Sequence, residues 1–337
     1  MKIVVLGATG MLGCYSSLAL KNHGHDVVAV GRRISDGGFF ARFGIAYIGG
    51  IELEQPNCFS KLPTDVESVV HMAGTMPAHA DACPMPYVQS IVVGMVNVLE
   101  WMKSTVARRI VFNTTPSDVC ALFGRPIPVP DDAPRSFPKD GGDHAVYAIC
   151  KNAAVDILEH YKIAHGFLPI VFRHMTVYGW SPDASYAVSG VRQILPWRQI
   201  VRRAIAGETI EVWGDPNKKK ELLYIDDFTD AIIKAVESNV CGLFNLPGPR
   251  PYTLEDQIDG IIGGFSAHGH LSAKVYLPDR PSTPENLLLG DKVRDELGWS
   301  ATTSWREACE RMREESQSNR FVELWGQADP ADRCPIP

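Results

Sequence analysis

The sequence predicts an α/β protein: a Rossmann-type, doubly wound parallel sheet with a smaller C-terminal α/β lobe. Three observations carry that expectation. Short apolar runs alternate with stretches of helical period through the first half of the chain. A glycine-rich string, Gly7-Ala8-Thr9-Gly10-Met11-Leu12-Gly13, stands between the first apolar run and the first helical stretch. The 337 residues suffice for roughly two domains at ~100–200 residues each.

Taken in order, residues 2–6 read as a strand and 11–23 as a helix. Residues 26–30, 45–48 and 68–72 are further strands. Residues 87–103 carry the i, i+3, i+4 apolar spacing of a packed helix. Residues 109–112 and 169–172 are the fifth and sixth strands, with a long helix over 144–165 between them. Strands separated by helices pair in parallel through right-handed crossovers. Between these elements, residues 120–142 form a Pro- and Asp-rich loop without a period. The regular alternation ends near Gly179.

Later helices are expected over 192–207, which is basic, and over 227–238, 290–298 and 304–316. Residues 1–179 are therefore expected to form the sheet unit, with 226–246 returning to it. Residues 180–320 are expected to form the smaller lobe, and 327–337 a loosely ordered tail.

Composition removes several classes. The chain is 45% hydrophobic and 21% charged, enough apolar material to exclude disorder over most of its length. A net charge of -6 and a pI near 5.9 argue against a nucleic-acid partner. No apolar run reaches the ~18 residues of a membrane span. The longest candidate, 91–102, is interrupted by Gly94, Asn97 and Glu100. Gly7 comes too early for a signal-peptide apolar core, so a cytoplasmic address is expected. The eight cysteines (14, 58, 83, 120, 150, 241, 309 and 334) form no CxxC pair and stand at no zinc-ligand spacing with a histidine. They are expected to be reduced, buried small hydrophobes, and no metal site is expected.

The glycine string suits backbone chemistry. Glycines let the main chain turn tightly against a pyrophosphate, while the following helix presents free N–H groups to the anion. Gly7, Thr9, Gly10, Met11, Leu12 and Gly13 are thus candidate dinucleotide ligands. The second strand ends in Gly31-Arg32-Arg33, with no acid to bind ribose hydroxyls. Two guanidinium groups suit a 2′-phosphate, so NAD(P) is expected as cofactor, NADP(H) favoured over NAD.

Tyr147 and Lys151 stand four residues apart, on one face of the expected long helix. An ammonium beside a phenol favours the phenolate, which predicts a lowered Tyr147 pKa and an acid/base role.

The G-x-x-G-x-x-G string with the Tyr-x-x-x-Lys pair resembles the extended short-chain dehydrogenase/reductase superfamily. The likeness is to the NAD(P)-dependent nucleotide-sugar epimerase/dehydratase family, and it runs to about Glu315. It implies a catalytic hydroxyl after the fifth strand, in Asn113-Thr114-Thr115-Pro116-Ser117. Alignment from the strand puts Thr115 there, with Thr114 and Ser117 as alternatives. Lys151 would also hold the cofactor ribose. Met72, Ala73 and Gly74, at the fourth strand's end, and His174, after the sixth, would flank the cofactor. His71 would be a structural hydrogen-bonder. Lys220 and Arg280 would contact a nucleotide diphosphate, with Ser117 beside the substrate. In Ile225-Asp226-Asp227 an acid would cap the late helix. Long helices 87–103 and 144–165 would form a homodimer interface.

The departures from the family pattern are Val119-Cys120-Ala121 in place of Val-Tyr-Gly, Ile91 in place of an asparagine, and no acid near Gly49-Gly50. Pro116-Ser117 replaces the Asp-Glu pair of sugar dehydratases. Cys120 reads as an ordinary apolar cysteine. The resemblance therefore implies an epimerase working through a keto-sugar. An NADPH-dependent reductase of a keto-sugar or other small carbonyl compound is the alternative. A non-catalytic NADP-binding sensor or scaffold protein is a third reading.

Overall fold

The computed structural model describes residues 1–77, 83–188, 191–266, 271–282, 284–327 and 329–332. The first half comprises β1 (Lys2–Leu6), α1 (Met11–Asn22), β2 (Asp26–Val30), β3 (Ala46–Ile48), β4 (Ser68–His71), α2 (Met85–Tyr87), α3 (Gly94–Met102), β5 (Arg109–Asn113), α4 (Gly142–His165) and β6 (Leu168–His174). Shorter pieces follow: β7 (Val177–Tyr178), β8 (Ser185–Val188), β9 (Val191–Ile194), α5 (Pro196–Ala206), β10 (Ile210–Trp213), β11 (Lys219–Lys220) and β12 (Leu223–Tyr224). The chain continues with α6 (Ile225–Glu237), β13 (Gly242–Leu246), β14 (Tyr252–Thr253), α7 (Leu254–Phe265), β15 (Lys274–Leu277), α8 (Asp291–Leu297), α9 (Trp305–Gln317) and α10 (Val322–Trp325).

Seven strands form the main sheet in the order β13-β6-β5-β4-β1-β2-β3, and every pairing in it is parallel. The strand order reverses between β1 and β4, so a crevice opens beyond their carboxyl ends. Both faces are covered, which is why β1 is buried apolar chain from Ile3 to Leu6. Its alternate residues serve two cores. Ile3 and Val5 pack with Leu18 and Leu20 of α1 and Ile232 of α6; Val4 and Leu6 pack with Val98 of α3 and Leu158 of α4.

The expected helix over 87–103 is broken by a π-turn, Val88–Val93, between α2 and α3. The expected basic helix starts later than its composition suggests. Val191–Ile194 instead pairs antiparallel with β8, and α5 begins at Pro196, whose missing N–H suits a first helical turn.

One other expectation needs correction. Asp227 does not cap α6, whose N-cap is Tyr224. Its carboxylate instead accepts from the Thr302 and Thr303 backbone N–H groups, pinning the approach to α9. Within the expected loose tail, one residue is anchored. Asp332 is fully buried and pairs with Arg198 at 3.1 Å and Arg202 at 2.7 Å. Residues 328 and 333–337 of the expected tail, with Cys334, lie outside the described residues.

The seven described cysteines are all free, but only Cys14, Cys150 and Cys309 are buried, and Cys83 is exposed. No helix among the described residues is long and apolar enough to cross a membrane.

Candidate active site

A cleft of about 530 Å³ opens at the carboxyl ends of β1, β2 and β4. It collects Gly7, Thr9, Gly10, Arg32, Arg33, Met72, Ala73 and Gly74 from the expected cofactor residues. Gly7 has φ +80°, and a Cβ on it would stand 2.7 Å from the Ala73 nitrogen. Only glycine lets the loop pass β4 there. Gly10 is different. Its backbone is extended, and a Cβ would meet only the Gly7 oxygen, at 3.4 Å. Nothing in the folded chain requires glycine at this point, whereas a pyrophosphate approaching the main chain does. α1 begins at Met11 with no acidic residue in its first turn, so no side-chain carboxylate there competes for the N–H groups that a helix N-terminus offers an anion. These residues fit a dinucleotide.

The two arginines part company. Both are exposed at the cleft, but Arg33 donates to the Leu324 carbonyl at 2.5 Å. The same C-terminal segment reaches the phosphate loop again, where the Trp325 indole N–H donates to the Thr9 carbonyl at 2.8 Å. The sequence reading missed this segment. It also missed Glu52, Leu53, Glu54, Thr75, Met76 and Ser90 on the cleft wall. Glu52 and Glu54 are the carboxylates of this wall that follow Gly49-Gly50 in the chain. A Cβ at Gly49 would stand 2.2 Å from the Ile34 oxygen, so no larger residue fits there.

Tyr147 and Lys151 lie one turn apart on α4, and both are buried. The Tyr147 hydroxyl reaches the Met76 sulfur at 3.6 Å, which ties the phenol to the cleft wall. Lys151 Nζ donates to the Asn113 carbonyl at 2.7 Å and lies 4.3 Å from the Phe112 ring centroid. Burial pushes the ammonium down to about 7. Burial also pushes the Tyr147 phenol upward, opposite to the sequence expectation. Burial is the cause: the phenol is desolvated, and Lys151 Nζ, 5.6 Å from the Tyr147 ring centroid, makes no hydrogen bond to its hydroxyl among the described residues.

β5 delivers the hydroxyl residues. Thr115 follows the strand in extended conformation and N-caps a short 3₁₀ turn, Pro116–Leu122, with Pro116 at its first position. Its Oγ1 accepts from the Ser117 N–H at 3.1 Å, so its own proton is left to donate outward. Thr114 is also buried, and its Oγ1 has no partner among the described residues. The turn is anchored from behind. Asp118 pairs with Arg173 of β6 at 2.9 Å, both side chains being 2% exposed. Burial outweighs the guanidinium and raises the Asp118 carboxyl.

The remaining expected residues sit in varied settings. His174 ends β6, with Nδ1 against the Met175 carbonyl at 2.7 Å, and burial pushes it down to about 4. His71 is not the expected hydrogen-bonder: both ring nitrogens lack a partner among the described residues, and burial pushes it down to about 3. It packs instead on Phe112 at 5.4 Å. Ser117 is half-buried in the Thr115 turn. Lys220 is half-buried on β11, its pKa lowered by burial, while Arg280 lies over the Trp213 ring at 5.2 Å. Neither lines the dinucleotide cleft.

Known proteins resemble this chain over most of its length. UDP-glucuronate 4-epimerase 1 of Arabidopsis thaliana is 25% identical over 339 residues, spanning 89% of this chain and 73% of that protein. The UDP-glucose 4-epimerase of Thermotoga maritima, solved with UDP-glucose, superposes with a TM-score of 0.73 at 20% identity, covering 93% of this chain and 97% of its own. The UDP-glucuronic acid 4-epimerase of Bacillus cereus, solved with UDP-glucuronic acid and NAD, gives 0.71 at 20% identity over 96% and 99%. The fold is therefore that of these solved structures. The model of the NAD dependent epimerase/dehydratase family matches residues 3–246, and the chain belongs to that family as an enzyme of the extended short-chain dehydrogenase/reductase type.

Proposed function

We propose that this enzyme is a nucleotide-sugar epimerase that oxidises a sugar carbon transiently and re-reduces it on the other face. The relatives' names make a UDP-hexose, altered at its fourth carbon, the first substrate to try. The observation that carries the reading is Tyr147 with Lys151 on one face of α4, the phenol touching the wall of the dinucleotide cleft. When bound there, a nicotinamide dinucleotide supplies reversible hydride transfer at the sugar carbon.

The chain's residues supply the rest. The phosphate loop and the N-terminus of α1 hold the pyrophosphate, with Gly74 and His174 at the cofactor's flank. Tyr147 takes the proton of the sugar hydroxyl and later returns it to the same oxygen, once the carbon has been re-reduced on its other face. Its burial keeps it protonated until a positive charge arrives, and in that dry setting such a charge acts strongly. Thr115 donates to the same sugar oxygen, and Lys151 grips the ribose. Lys220 and Arg280 are proposed for the substrate diphosphate, with Ser117 near the sugar. A homodimer joined through α3 and α4 belongs to this reading, and exposed Ile149 on α4 supports it.

The test is direct. With UDP-glucose, UDP-glucuronic acid and UDP-N-acetylglucosamine as probes, the protein should interconvert the fourth-carbon epimers of at least one, followed by NMR. Tyr147→Phe should cut the rate by about 10²–10⁴-fold while dinucleotide binding stays intact. Bound cofactor with no epimer formed from any probe would overturn the reading. One observation favours a second reading. Exposed Arg32 at the cleft suits a 2′-phosphate, as an NADPH-dependent reductase of a keto-sugar would use.

A further inference from the structure

The sheet's opposite end, away from the cofactor cleft, carries ligating side chains that the proposed reaction does not use. His23 follows α1, His25 precedes β2, and Glu237 is the last residue of α6. Gly24, at φ +96°, makes the tight turn between the histidines. One oxygen, Glu237 Oε1, lies 3.3 Å from His23 Nε2 and 3.3 Å from His25 Nε2. The three ligating atoms all fall within 4.8 Å of one another.

Two features point to an ion rather than to a plain hydrogen bond. A tetrahedral ion with ligand bonds of about 2.0–2.1 Å holds its ligand atoms about 3.3 Å apart, the spacing seen here on both sides of the carboxylate. And His25 is only 8% exposed, yet its Nε2 has no hydrogen-bond partner among the described residues. Its contact with Glu237 has the distance of a hydrogen bond without the direction. A buried polar atom left in this state needs a partner.

We propose that His23, His25 and Glu237 form a site for a divalent first-row transition ion, Zn²⁺ being the best match to two imidazoles and a carboxylate. The half-exposed side chains of His23 and Glu237, at 49% and 44%, leave the fourth position to water. The ion ties the C-terminal end of α1 to that of α6. Because α1 starts at the phosphate loop, the clip steadies the helix that faces the cofactor. Sequence spacing alone did not predict it, since the third ligand comes from a distant helix.

The experiment is equilibrium dialysis of the tag-free protein against Zn²⁺, with thermal unfolding in parallel. One ion per chain is expected, with a rise in Tm. His23→Ala and Glu237→Gln change exposed side chains, and circular dichroism verifies their fold. Each should weaken Zn²⁺ binding by about tenfold or more, at least the loss seen for a metal's outer partners, and should abolish the Tm rise. Co²⁺ in the wild-type site should give the intense visible band of a four-coordinate ion without thiolate absorption. Absence of binding, or binding that both variants leave unchanged, would overturn the proposal.

Discussion

The dinucleotide cleft and the hydroxyl-bearing end of β5 open on the same edge of one sheet, but they are built by different means. The cleft is backbone. It rests on a loop of seven residues in which Gly7 slips past β4 and Gly13 packs against the loop, its built Cβ only 2.3 Å from the Gly7 oxygen. The β5 end is side chains. Thr115 is placed by a turn whose Asp118 reaches Arg173 on β6, and Arg173 in turn reaches Asn245 on β13 at 3.3 Å. A local device tolerates change elsewhere in the chain, whereas a device of distant side chains fails when any member is lost. The comparison can be broken at several points.

The largest effect is expected at Asp118. Asp118→Ala leaves Arg173 buried without its carboxylate and should cost about 3–5 kcal/mol in urea unfolding. Gly10→Ala is the counterpart in the cleft. Gly10 has φ −82°, so alanine fits, and stability should move by less than about 0.5 kcal/mol while dinucleotide affinity falls. If Asp118→Ala unfolds at the wild-type midpoint, the hydroxyl turn does not depend on the long-range pair.

The same contrast explains what could be read in advance. The cleft was legible because its signal is contiguous: an apolar run, glycines at fixed spacing, then a helical period. Tyr147 and Lys151 were legible as a pair for the same reason, both being on one helix. Their electrostatics were not, because burial depends on what packs against α4. The anchoring of Trp325 and Asp332 was not legible in the sequence. The acidic, Pro-rich composition of the tail resembles loose chain, and its role rests on Arg198 and Arg202 of α5. The seventh strand was expected only as a return of 226–246 to the sheet. Its place at the edge, beside β6, is a matter of topology that no local pattern encodes.

Lys151 sits on the seam between the two devices, and its burial gives a pH-dependent test. The ammonium titrates near 10.5 in the unfolded chain and about 7 in the folded one. Between those values the unfolded chain binds the extra proton, so folding stability rises with pH. The burial cost is therefore full at and below pH 7 and gone above about 10.5. Lys151→Met should abolish turnover yet stabilise the cofactor-free protein by on the order of 2 kcal/mol at pH 7, after the lost hydrogen bond and ring contact are counted. The gain should fade as pH rises. A stability difference that is the same at pH 7 and pH 10 would show that Lys151 is not desolvated, and the seam would dissolve into ordinary surface.

The smallest effect sharpens the cleft itself, where two adjacent arginines have unequal surroundings. Both are exposed at the rim, but Arg33 is held by the Leu324 carbonyl. If the rim selects a 2′-phosphate, Arg32→Ala should lower the affinity for NADP relative to NAD by about tenfold, the worth of one charge-assisted contact. Arg33→Ala should leave that ratio within about threefold and instead cost roughly 1 kcal/mol of stability, because it releases the C-terminal segment. Fluorescence titration of both dinucleotides against both variants separates the outcomes. If neither variant moves the ratio, NAD is the cofactor and both side chains are only scaffold or solvated rim. If Arg33 moves it more than Arg32, the Leu324 contact gives way on binding. The phosphate pocket then includes α10, and the cleft depends on a distant segment as the β5 end does.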